Sequence, residues 1–203
     1  MMQRPIPGLI LASASGSRRS LLEAAGLVFA VLPAGIDEVA VKGQARAAGV
    51  SAEATALCLA DLKAAQVARG NPEALVIGAD QILVCDGAWF DKPADMRAAA
   101  AQLRALRGRT HSLATAVTCH QGATRVWHAL ASPHLTMRHF SEQFLESYLE
   151  LEGAAVTSTV GAYRLEGRGV LLFKAVEGEH SAVLGLPLLP LLDFLREQQV
   201  LIE

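Results

Sequence analysis

A few carboxylates and cations stand out along a largely apolar chain, each placed where its type is unusual. LASASGSRRSLL, residues 11–22, passes from an apolar run through small hydroxyl residues to Arg18 and Arg19, where a helix should start. Cations are disfavoured at the positive end of a helix. Small residues at that end let backbone N–H groups approach a phosphate, and arginine favours the same anion. The plainer alternative is a capped surface helix with solvated arginines. The sequence has no GxxxxGK[ST] loop and no GxGxxG, so neither of those phosphate-binding layouts applies.

VIGADQILV, residues 76–84, places Asp80 inside a strand-like apolar run. Aspartate is depleted in strands, and burying an unpaired carboxylate is costly. Asp80 therefore calls for a cation, as a metal-binding carboxylate or general base; a structural aspartate at a kink beside Gly78 is the alternative. In FDKPAD, residues 90–95, Pro93 forces Lys92 into an extended conformation. That could aim the amine at a pocket or simply expose it. Glu38 closes an Ile-Asp-Glu step, Lys63 lies in an alanine-rich helical segment, and Glu166 sits in glycine-bracketed GAYRLEGRG, residues 161–169. Together these supply carboxylates for a divalent cation and cations for a polyphosphate. The six histidines form no HExxH, and the serines no GxSxG elbow, so serine-nucleophile hydrolysis is poorly supported.

These residues need a scaffold. Strands are predicted at 9–12, 28–32, 75–85, 88–90, 110–119, 123–130, 134–139 and 170–176. Helices are predicted at 18–25, 51–69, 95–107, 141–151 and 187–198. Ser51, Asp95 and Ser141 are candidate N-caps, and Gly26, Gly70 and Gly108 are stop signals. Asp86-Gly87 marks a hairpin. Strands interleaved with helices, with two hairpin-like pairs, indicate an α/β fold on a mixed sheet. With 203 residues, just over half of them hydrophobic, one domain over 1–203 with a substantial core is expected.

The net charge of −2 does not suggest a general nucleic-acid binder. No apolar run approaches the ~20 residues that span a bilayer, and the short run at 5–14 is a poor secretory signal. Cys58, Cys85 and Cys119 show neither zinc spacing nor a disulfide framework, as expected of reduced thiols in a cytoplasmic protein.

Read in order, LASASGSRRSLL, IDE, LADLKA, VIGADQ, DKP, LRGRTH, VGAYRLEG and LGLPLLPLL resemble the Maf family of nucleotide pyrophosphatases over nearly the whole chain. The resemblance implies a mixed, elongated, twisted sheet flanked by helices, Maf/ITPase-like, with a central substrate cleft and usually a homodimer. It implies hydrolysis of nucleoside triphosphates to monophosphate and pyrophosphate with Mg²⁺ or Mn²⁺. By motif, Ser13, Ser15 and Arg18 fall in the phosphate loop. Asp80, Lys92 and Lys63 match catalytic positions, Glu38 and Asp80 the metal carboxylates, and Gln81 and Glu166 base-selecting positions. Gln81 with Glu166 is similar to the 7-methyl-GTP subgroup; the glutamine-bearing subgroup prefers dTTP and UTP. The chain departs from the family pattern at Ser17, where an arginine is common, and at Ser158-Thr159, where an Asp-Lys pair is common. Those losses keep open a nucleotide-binding regulator of cell division without efficient catalysis.

Overall fold

A computed structural model describes residues 3–202. The fold is mixed α/β, an open mixed sheet flanked by helices. The chain divides into two compact units. The first runs up to Gln81, then Thr115–Ala131, then from Glu179 onward; the second is Ile82–Ala114 with Ser132–Gly178.

In the first unit, β1 (Leu9–Leu11) lies between β2 (Phe29–Val31) and the start of β3 (Leu75–Cys85), parallel to both. The end of β5 (Thr110–Gln121) pairs antiparallel with β6 (Thr124–Ala131). Alternate residues of a strand face opposite sides, and both sides of this layer are covered. Leu9, Leu11, Leu75 and Ile77 pack with Leu22 of α1 (Gly16–Ala24) and Leu191, Phe194 and Leu195 of α7 (Leu188–Glu197). Ile10, Ala12 and Val76 pack with Ala64 and Ala68 of α3 (Ala52–Arg69). This explains why β3 reads as a nearly unbroken apolar run.

In the second unit, the end of β3 turns at Asp86-Gly87 into β4 (Ala88–Phe90). The start of β5 pairs with β7 (His134–Met137), which pairs with β8 (Phe173–Glu177). Helices α4 (Met96–Leu106) and α5 (Glu142–Glu152) pack together and against short 3₁₀ turns at Gly153–Ser158 and Val160–Ala162.

The predicted caps form: Ser51, Asp95 and Ser141 accept from the backbone N–H of Ala54, Ala98 and Phe144. Two α-helices were not anticipated, α2 (Glu38–Ala47) and the four-residue α6 (His180–Val183). The strand predicted at 170–176 begins at Phe173, because Arg168–Leu172 forms a 3₁₀ turn instead. No helix among the described residues is long and apolar enough to cross a membrane, and all three cysteines are free.

Candidate active site

The first unit gathers charge in its interior. Gly78 makes this possible. A Cβ there would lie 2.2 Å from the Ala60 carbonyl oxygen and 2.8 Å from the Ala64 Cβ. Only glycine lets β3 lie this close to α3, and that approach carries Lys63, the neighbour of Ala64, to Asp80. Lys63 Nζ is 2.6 Å from Asp80 Oδ1 and 2.7 Å from Glu38 Oε1. Lys63 and Asp80 are buried, whereas the Glu38 side chain is 44% exposed. Glu38 occupies the first turn of α2 after its cap Asp37, where the helix dipole favours a carboxylate. Burying an ion pair contributes little net stability, because desolvation offsets the attraction. This arrangement is better understood as a device for holding a carboxylate. Asp80 Oδ2 is buried without a hydrogen-bond partner among the described residues.

Arg18 is also buried. Its Nε donates to the Gly185 carbonyl at 2.8 Å, and its Nη1 to Ser13 Oγ at 3.0 Å and the Ala79 carbonyl at 2.8 Å. These bonds answer the conflict of a cation in the first turn of α1: three oxygens hold the guanidinium. Burial lowers its pKa, while the charges of Asp80 and Glu38 oppose that shift. Ser15 caps α1, accepting from the Arg18 N–H, and Ser13 Oγ accepts from the Ser15 N–H. The two arginines separate clearly. Arg19 is on the surface, 2.7 Å from Glu23 one turn along.

Gln81 closes the first unit's stretch of β3. Its Nε2 lies 2.8 Å from Thr115 Oγ1, 2.9 Å from the Ala182 carbonyl and 3.2 Å from the Val183 carbonyl. Thr115 also donates to Ala182. A contact from Gln81 to a base would therefore come from its Oε1. The turn at 182–185 is thus gripped by Gln81, Thr115 and Arg18. Thr115 had no sequence motif to mark it; the turn was signalled only by LGLPLLPLL, which contains Gly185.

Lys92 and Glu166 belong to the second unit. Lys92 is exposed between two fixed points, Asp91, whose carbonyl accepts from Gln102 Nε2, and Asp95, which caps α4. Glu166 is exposed in the segment after Tyr163.

A metal's fit is decided by the carboxylates. Among the described residues no cluster of three or more His, Cys, Asp or Glu is arranged for an ion. Two carboxylates on one lysine, one with an orphaned oxygen, suit a hard cation that completes its shell with substrate phosphates and water.

The chain matches the family model described as Maf-like protein over residues 8–198. It is 53% identical to a protein of Granulibacter bethesdensis named nucleoside triphosphate pyrophosphatase, over 95% of this chain and 98% of that one. It is 48% identical to a Rhodospirillum rubrum protein of the same name over the full length of both chains. A Gluconobacter oxydans protein, also so named, is 54% identical over 95% of this chain and 96% of its own. With that match spanning nearly its whole length, the chain belongs to the Maf family.

Proposed function

We propose that this protein hydrolyses nucleoside triphosphates to the monophosphate and pyrophosphate with a divalent cation. The observation that carries this is the buried Asp80, held through Oδ1 by Lys63 with Oδ2 without a hydrogen-bond partner among the described residues; the relatives' shared name supports it. Water attacks the α-phosphorus and the bond to the bridging oxygen of the β-phosphate breaks. Asp80 Oδ2 orients that water and accepts its proton. Lys63 fixes Asp80 and places positive charge beside the reacting phosphate. Arg18, whose described bonds use Nε and Nη1, presents Nη2 to a phosphate oxygen, and Ser13 and Ser15 shape the same loop. Lys92 neutralises charge on the leaving pyrophosphate. Asp80 and Glu38 would hold Mg²⁺ or Mn²⁺, which supplies charge neutralisation on the phosphates when bound. Positioning and electrostatics of this kind dominate phosphoryl transfer.

Base choice is assigned to Gln81 and Glu166, with 7-methyl-GTP the favoured substrate. A carboxylate accepts from a guanine edge and favours the positive charge that methylation adds, whereas a glutamine both donates and accepts. A dTTP- and UTP-type preference is the competing outcome. A cytoplasmic homodimer completes this reading, testable by light scattering on the purified protein. The function is tested by a nucleotide panel with Mg²⁺ or Mn²⁺, scoring products. Monophosphate and pyrophosphate are expected, with 7-methyl-GTP fastest. No product from any triphosphate, in a protein that still binds nucleotides, would instead assign a regulator without catalysis.

A further inference from the structure

The last turn of α5 contains a buried acid that the proposed chemistry does not use. Glu152 ends the helix, where the dipole disfavours a carboxylate, and its side chain is only 1% exposed. Other glutamates of that helix, Glu142, Glu146 and Glu150, are exposed. Both of its oxygens are taken by the segment that carries Glu166. Oε2 accepts from Arg164 Nη2 at 3.2 Å and Nε at 3.4 Å; Oε1 accepts from Arg168 Nη1 at 3.2 Å. One carboxylate thus grips both arginines that bracket Glu166, two residues to either side.

The loop is tight enough to transmit that grip. Gly169 returns so close to Arg164 that a Cβ would lie 2.3 Å from its carbonyl oxygen. The Gly167 N–H also donates to the Arg164 carbonyl at 3.1 Å. One helical turn before Glu152, on the same face, Tyr148 donates its hydroxyl to the Ala162 carbonyl at 3.3 Å. Two side chains of α5 therefore hold the segment at its entry and across its tip. A buried acid with two partners contributes little net stability, so the contact is better understood as fixing the conformation of the loop.

We propose that Glu152, assisted by Tyr148, is a positioning residue for base selection: it sets the conformation of residues 162–169 and so the placement of Glu166. This rests on the reading of Glu166 as the base-facing residue. Glu152→Gln leaves one oxygen acceptor and removes the charge. The test is kcat/KM for 7-methyl-GTP and for UTP in the wild type, Glu152→Gln, Glu166→Gln and the double variant. Expected is a fall in the 7-methyl-GTP to UTP ratio of about tenfold in each single variant. In Glu152→Gln the fall is carried by KM, with kcat on UTP within about twofold, and the double variant shows no further fall than Glu166→Gln alone. If Glu166→Gln shifts the ratio and folded Glu152→Gln does not, the positioning role is overturned while base selection by Glu166 stands. If Glu166→Gln leaves the ratio unchanged, that reading fails and this proposal with it. Should Glu152→Gln fail to fold, the exposed Arg168 carries the same test. Arg168→Gln should lower the ratio and Arg168→Lys largely restore it, and an unchanged ratio in Arg168→Gln overturns the proposal.

Discussion

The two units treat charge in opposite ways. In the first, Arg18, Lys63 and Asp80 are buried and interlocked, and each is fixed by partners from distant parts of the sequence. In the second, Lys92 and Glu166 are exposed on loops, and what is buried is the machinery that holds the Glu166 loop, Glu152 and the Tyr148 and Tyr163 side chains. Chemistry on a phosphate needs preorganised charge whose reorganisation cost is already met at folding. Discrimination between bases needs contacts to the base edge that one substrate satisfies and its competitor does not. Substitutions in the two units should therefore fail differently.

The largest effect is expected at Asp80. Asp80→Asn should lower turnover by about 10³-fold or more with the far-UV circular dichroism unchanged. A comparable loss of kcat in Glu166→Gln would break the contrast between the units. The next largest concerns the second unit's stability. Burial holds the His111 imidazole at a pKa of about 4, packed against Tyr163 and Phe173 and sharing a 2.8 Å hydrogen bond with the Tyr163 hydroxyl. The unfolded chain protonates near 6.5, so it binds more protons than the folded chain between pH 6.5 and 4. Stability from this group is complete above pH 6.5 and is lost as pH falls to about 4, by roughly 3 kcal/mol. Urea titrations at several pH values should show that slope in the wild type and a flatter one in His111→Gln.

Arg18→Lys sharpens the contrast from the other side. Lysine cannot serve the Gly185, Ser13 and Ala79 oxygens together, so about 1–3 kcal/mol of stability and about 10²-fold in rate should be lost together. Loss of rate alone, read by urea unfolding beside the assay, would mean that the guanidinium's internal bonds are incidental. The smallest effect is Glu166→Gln, a roughly tenfold change in base preference with stability unaltered, measured as the ratio of kcat/KM values.

Much of this was legible in the sequence, for reasons tied to particular residues. Asp80 announced itself because a carboxylate inside an apolar strand must be compensated. Ser51, Asp95 and Ser141 announced helices because capping is local. Helix α2 was missed because its sequence, EVAVKGQARA, interrupts a weak apolar stripe with Gly43. The start of β8 was misplaced because Val170 and Leu171 look like strand residues, yet both are exposed and the close return at Gly169 forces a 3₁₀ turn. The locking of Arg18 was not visible because two of its acceptors, the carbonyls of Ala79 and Gly185, are backbone atoms that no side chain advertises. Glu152 lies one residue past the helix predicted at 141–151, and nothing local marks it, since its partners lie 12 and 16 residues away.

The central claim is that the buried charge of the first unit directs water to the α-phosphorus of a triphosphate. Hydrolysis in ¹⁸O-labelled water, followed by mass spectrometry of the products, tests it most directly. The label should appear in the nucleoside monophosphate, with unlabelled pyrophosphate. Label in pyrophosphate, or in orthophosphate beside a nucleoside diphosphate, would contradict the account.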